Sequence, residues 1–135
     1  MPGEMFDMEL RAARRDRAFR AGPEPFLHER AFADCLDRLG LVRRSFRSAL
    51  LLGCPDPGWP GRLGELVERV AVADPGPLFA TAAAGTCLVE DRWDPPEAAF
   101  DLVLALGTLD TVNDLPRALR SLRLALAADS LLIGA

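Results

Sequence analysis

Three stretches of the sequence carry residue types from which a nucleoside site is built. The run Gly53-Cys54-Pro55-Asp56-Pro57-Gly58-Trp59-Pro60-Gly61 follows an apolar segment and holds too much glycine and proline for regular structure. A missing Cβ lets a ligand approach the backbone closely, which makes Gly53 and Gly58 candidate contacts. Roughly twenty residues on, Asp74 ends a second apolar segment, a spacing shared with nucleotide-binding α/β units. A carboxylate in that position can accept hydrogen bonds from both hydroxyls of a ribose. The pair Glu90-Asp91 ends a third segment and can receive the amino group of adenine. Each feature alone has a plainer reading, the acid as a helix cap and the loop as a turn. In this order they point to a nucleoside-bearing cofactor.

Other chemistries find less support. Cys35, Cys54 and Cys87 are odd in number and show no C-x-x-C spacing, which fits reduced thiols better than a disulfide frame or a zinc site. No metal site is expected. His28 is the only histidine, so a Ser-His-Asp triad would have to use it, and a place on a helix surface is the simpler reading.

The elements that must position these residues follow from the period of the apolar positions. Residues 8–20 and 25–42 read as two helices separated by Gly22-Pro23, the second with Phe26, Leu27, Ala31, Cys35, Leu36, Leu39 and Val42 at helical spacing. Ser48 to Leu52 is a short apolar run, as expected of a strand buried on both faces. A helix is expected over 61–68, with Leu63, Leu66 and Val67 turned inward, then a second strand over Val70–Ala73. A short helix fits Leu78–Ala84, and Thr86–Val89 reads as a third strand. Phe100 to Leu106 is the clearest strand. Asn113 or Asp114 can cap the next helix, with Pro116 in its first turn and Leu115, Leu119, Leu122 and Leu126 along one face. Leu131-Leu132-Ile133 forms a fifth strand. Alternating strands and helices predict a parallel α/β sheet, whose ligands bind beyond the carboxyl ends of its strands.

The 135 residues make one domain, half apolar and about a quarter charged. Every basic residue is arginine. A formal net charge of −4 argues against a nucleic-acid binder, because such affinity rests on cations facing phosphates. Arg11, Arg14, Arg15, Arg17 and Arg20 nevertheless cluster near the start, read here as a solvated helix face. No apolar run reaches membrane-spanning length, and the first twenty residues lack the apolar core of a secretory signal. A cytoplasmic protein is the expectation.

The run Phe100-Asp101-Leu102-Val103-Leu104-Ala105-Leu106, followed by Val112-Asn113-Asp114-Leu115-Pro116-Arg117-Ala118-Leu119, resembles the fourth strand and following helix of one group of class I S-adenosylmethionine-dependent methyltransferases. That group comprises the complex I assembly-factor methyltransferase-like proteins and is similar to the biotin-pathway O-methyltransferases. Leu131-Leu132-Ile133-Gly134-Ala135 resembles its fifth strand, and Phe6-Asp7, Arg14-Arg15-Asp16-Arg17-Ala18 and Phe26-Leu27-His28-Glu29 its start. The resemblance implies a Rossmann-like parallel sheet of about five strands behind an N-terminal helical pair. It implies that residues 1–45 form a helical lid region and 46–135 a cofactor-binding core truncated after strand five, since sheets of this type normally have two more strands. The cofactor would be S-adenosyl-L-methionine, with Gly53 at its methionine end, Asp74 on its ribose, and Asp91 or Glu90 on its adenine. The acceptor is an unknown protein or small molecule. An uncovered fifth strand would favour self-association through its edge.

The sequence departs from the group's pattern in two places. Leu51 stands where the first strand carries an acid, and Cys54-Pro55-Asp56-Pro57 where glycines alternate, so two prolines remove two backbone donors. Asp110-Thr111 replaces a His-Trp pair that often follows the fourth strand. Asp110 is the candidate base, with a loop or capping role as its alternative. A methyltransferase or methyltransferase-like protein is therefore the first reading. A non-catalytic assembly or interaction protein on the same fold, for a respiratory complex, is the second. A nicotinamide-dependent oxidoreductase also fits Asp74, but no G-x-G-x-x-G is present.

Overall fold

The computed structural model describes residues 7–21, 26–41, 45–106, 108–109 and 112–134, without the side chains of 26–28 and 129. Gly22-Pro23, Arg43-Arg44, Asp110 and Thr111 lie outside these residues, as does the side chain of His28. The elements run α1 (Met8–Arg20), α2 (Phe26–Leu41), β1 (Phe46–Leu52), α3 (Trp59–Leu63), β2 (Val67–Asp74), α4 (Pro77–Ala82), β3 (Thr86–Cys87), β4 (Phe100–Ala105), α5 (Leu115–Ala125) and β5 (Leu126–Gly134).

The five strands form one sheet in the order β3-β2-β1-β4-β5, and every pairing is parallel. Central β1 pairs Leu51 with Val72 on one side and with Leu104 on the other. Chain order reverses between β1 and β4, so the switch point of this α/β sheet lies at their carboxyl ends. The fold is the Rossmann-like parallel sheet with two N-terminal helices that the sequence predicts.

Burial on both faces explains the unbroken apolar run of β1. Ala49 and Leu51 point to one layer with Leu102 and Leu104, where Phe32, Cys35 and Leu39 of α2 and Trp59 and Leu63 of α3 cover them. Leu50 and Leu52 point the other way, onto Val103, Ala105 and Leu122 of α5. Phe32 stacks on Trp59 with ring centroids 4.4 Å apart. Trp59 Nε1 donates to Glu29 at 2.8 Å, and Arg62 closes on the same carboxylate.

Three local expectations change. The third helix is five residues long and β2 begins at Val67, so Val67 is buried as a strand residue while Leu66 is exposed in the turn before it. The buried stripe of α5 is Ala118, Ser121, Leu122 and Ala125, whereas Leu115 and Leu119 are exposed. Three of these four are small, and the leucine spacing alone does not reveal them. The chain then passes from α5 directly into β5, which starts at Leu126 rather than Leu131. β3 is confined to Thr86–Cys87, so Glu90-Asp91 sit in a turn beyond it.

α1 differs from every layer helix. Asp7 caps it, accepting from the Leu10 N–H at 3.1 Å, yet no residue of α1 is buried. It lies against α4, where Phe19 meets Phe79 edge-on at 5.4 Å. Among the described residues no helix is long and apolar enough to cross a membrane.

Candidate functional site

Asp74, the last residue of β2, is wholly buried and takes four hydrogen bonds. Two come from the main chain, Cys54 N–H to Oδ2 at 2.8 Å and Gly76 N–H to Oδ1 at 2.7 Å. The other two come from one guanidinium on α1, Arg15 Nε to Oδ1 at 2.7 Å and Nη2 to Oδ2 at 2.6 Å. Such two-pronged charged contacts are among the strongest hydrogen bonds in proteins.

The same arrangement recurs one turn earlier on α1. Arg11 donates through Nη1 and Nη2 to both oxygens of Glu90, at 2.9 and 2.6 Å, and through Nη2 to the Thr108 carbonyl at 2.7 Å. Glu90 is also wholly buried. Residues four apart share a helix face, so α1 lays two guanidiniums into two buried carboxylates beyond the sheet. This corrects the reading of the N-terminal arginines as a solvated face. Arg14, Arg17 and Arg20 are exposed, but Arg11 and Arg15 are not. The missed signal is the Arg-x-x-x-Arg spacing on a helix that buries no residue.

Asp91 is buried and in a different state. Its Oδ2 accepts from the Asp114 N–H at 2.8 Å. Its Oδ1 has no hydrogen-bond partner among the described residues, although Arg92 Nε lies 3.9 Å away. Asp114 in turn caps α5, its side chain accepting from the Arg117 N–H at 3.0 Å. The Asn113-Asp114 stretch thus ties the start of α5 to the acid after β3. Trp93 Nε1 is a second buried polar atom without a partner among the described residues.

The loop after β1 is closed on itself. Gly53 has φ +88°, and a Cβ there would lie 2.5 Å from the Leu106 carbonyl oxygen and 2.8 Å from Thr108 Cγ2. Glycine at 53 is therefore demanded by the backbone of its own protein. Gly53 N–H donates to Ala73 O, Cys54 N–H to Asp74, Gly58 N–H to Asp56 Oδ1 and Trp59 N–H to Asp56 O, while Pro55 and Pro57 have none to give. Gly58 is exposed at the start of α3. Burial and the nearby Asp74 charge push the Cys54 thiol up to about 12, which excludes it as a nucleophile near neutral pH.

The structure thus brings Gly53, Asp74 and Glu90 to the carboxyl ends of the strands and joins Asp91 to Asp114. Gly58 lies at the far end of the first loop, and Asp110 is outside the described residues. Among the described residues no group of three or more His, Cys, Asp or Glu side chains is placed to hold a metal ion.

Sheet order and switch point are those of a Rossmann-like fold, which the S-adenosylmethionine-dependent methyltransferases share. Among solved structures, the chain is similar to the N-methyltransferase NodS of Bradyrhizobium japonicum WM9 in complex with S-adenosyl-L-homocysteine. The TM-score is 0.73 at 20% identity, over 91% of this chain and 71% of that one. It is also similar to a methyltransferase of Leishmania major, with a TM-score of 0.67 at 13% identity over 87% and 53%. Among curated proteins it is 31% identical, over 150 aligned positions, to the mitochondrial arginine-hydroxylase NDUFAF5 of Rattus norvegicus. That match covers 97% of this chain, which spans about two fifths (41%) of the relative's length. No protein-family model matches the chain. The chain is thus similar to part of these arginine-hydroxylases and has a methyltransferase-type fold, as its sequence suggests.

Proposed function

We propose that the chain is the nucleoside-binding part of a methyltransferase or methyltransferase-like protein and takes S-adenosyl-L-methionine. In this reading Asp74 receives the ribose hydroxyls and Asp91, with Glu90 beside it in sequence, receives the adenine amino group. Gly53 and Gly58 flank the methionine end. The observation that carries the reading is Asp91 Oδ1, a buried acceptor in the turn past β3 without a hydrogen-bond partner among the described residues. Buried acceptors without partners are uncommon and costly, and an amino group would supply the missing donor. Residues 1–45 keep the lid role for α1, which covers the strand ends, while α2 contributes Phe32, Cys35 and Leu39 to the core.

The methionine end fits less well. The loop that would cradle it commits its N–H groups at Gly53, Cys54, Gly58 and Trp59 within the protein and has prolines at two other positions. This favours the second reading, a non-catalytic assembly protein for a respiratory complex. The relatives' own name, arginine-hydroxylase, points to a reaction other than methyl transfer on this fold. Asp110 is retained as the candidate base for an unidentified acceptor. A cytoplasmic location is kept as a proposal against relatives named as mitochondrial. Self-association through β5, the last of the described strands in the sheet order, is part of the same proposal.

Calorimetric titration of the purified chain with S-adenosylmethionine, and separately with NADH, tests the reading. Heat with the former alone is expected. Heat with NADH alone would move the protein to the oxidoreductases. No heat with either, from folded protein, would leave the assembly reading.

A further inference from the structure

Four observations converge on α1. First, it reaches the strand ends through charge: Arg11 holds Glu90 and Arg15 holds Asp74, each through two hydrogen bonds. Second, these carboxylate side chains have no exposed surface, and the Arg11 and Arg15 side chains retain only 10% and 19% of theirs. Third, no residue of α1 is buried, so its hold on the domain rests on these pairs, the Phe19–Phe79 contact and the Asp16 carboxylate accepting from the Leu78 N–H at 3.0 Å. Fourth, Gly76 admits the Arg15 stem, since a Cβ there would lie 2.7 Å from Arg15 Cβ.

We infer that α1 is an internal competitor for the nucleoside site, and that Arg11 and Arg15 must withdraw from Glu90 and Asp74 before a nucleoside can bind there. The inference rests on the proposed cofactor reading and adds a control to it. A carboxylate cannot give its lone pairs at once to a two-pronged guanidinium and to two ribose hydroxyls while keeping two main-chain donors. For Asp74 the exchange is easy. The Cys54 and Gly76 N–H groups stay in place, and two hydroxyls replace the two arms of Arg15. Glu90 has no such reserve, since among the described residues its hydrogen bonds all come from Arg11. A buried carboxylate stripped of its partner is strongly unfavourable, so the Arg11–Glu90 pair is the latch and Arg15–Asp74 the plug.

A site closed by such a device shows an apparent affinity reduced by the closed fraction. The test is titration of the full chain and of an Arg11→Gln/Arg15→Gln double variant with S-adenosylhomocysteine. In parallel, hydrogen exchange is followed at the amides of residues 8–20. The variant is expected to bind at least tenfold more tightly. In the wild-type chain, α1 amides are expected to exchange faster with ligand while those of β1 and β4 slow. Should the variant fail to fold, the exchange of wild-type α1 decides alone. Binding by the wild type with unchanged or weaker affinity in the folded variant, or with α1 amides more protected, overturns the inference and leaves the cofactor reading standing. Absence of binding in both overturns the cofactor reading and this inference with it.

Discussion

Arg15 of α1 and Asp74 of β2 are 59 positions apart in the chain and meet through two hydrogen bonds of 2.7 and 2.6 Å. The carboxylate is in place for a local reason, since the Cys54 and Gly76 N–H groups hold it from the two neighbouring loops. The guanidinium is there for a distant one, since α1 lies against α4 through Phe19 and Phe79. Arg15 itself sits over the Phe79 ring, 5.1 Å from its centroid. A strand-end acid that reads in sequence as a free ligand group is therefore part of a charged network.

Gly53→Ala is expected to destabilise the fold by about 2–4 kcal/mol, combining a left-handed backbone with overpacking against Leu106 and Thr108. Urea unfolding of the variant measures it. A loss under about 0.5 kcal/mol, the scale of an ordinary surface change, would show that the Gly53 backbone is free to relax.

Thiol labelling near neutral pH is expected to modify Cys87 first, because it is exposed while Cys35 and Cys54 are buried. Burial raises all three thiols, and Cys54 reaches about 12, so even Cys87 should react slowly for a surface cysteine. Mass spectrometry of partly alkylated protein gives the order. Early modification of Cys54 in the native protein would show that the loop after β1 opens.

The Glu29–Arg62–Trp59 contact gives an acid-side dependence. The Arg62 hydrogen bond leads in holding the Glu29 carboxyl below its ordinary value of 4.5, against an opposing effect of burial and with further help from Trp59. A lowered folded pKa means stability that is complete above 4.5 and lost as pH falls through the lowered value. The effect is small because both side chains are about 40% exposed. Trp59 fluorescence in a Trp93→Phe background should show an acid transition that Glu29→Gln removes. An unchanged transition in Glu29→Gln would assign it to another group.

The parts of the fold that were legible in sequence are those set by a single local rule. β1 and β4 are apolar because both faces are covered, and the expected Asp114 cap sits where α5 begins. Where two elements jointly decide, the sequence misled. The α5 leucines imitate a core stripe, yet of Leu115, Leu119 and Leu122 only Leu122 is buried, and Ala118 and Ala125 complete the buried face. Asp74 was legible as a strand-end acid from its position, whereas Glu90 and Asp91, read as ending the third strand, sit in the turn beyond it. Their occupants were not, since Arg11 and Glu90 are 79 positions apart and only the packed fold brings them together.

The most direct measurement compares wild-type chain and Asp74→Asn in titrations with S-adenosylhomocysteine, with circular dichroism confirming that both are folded. The nucleoside reading expects saturable binding by the wild type and at least a tenfold loss in the variant, since an amide cannot accept from two hydroxyls as the carboxylate does. Equal affinity in the two folded proteins would contradict it and remove Asp74 from the site.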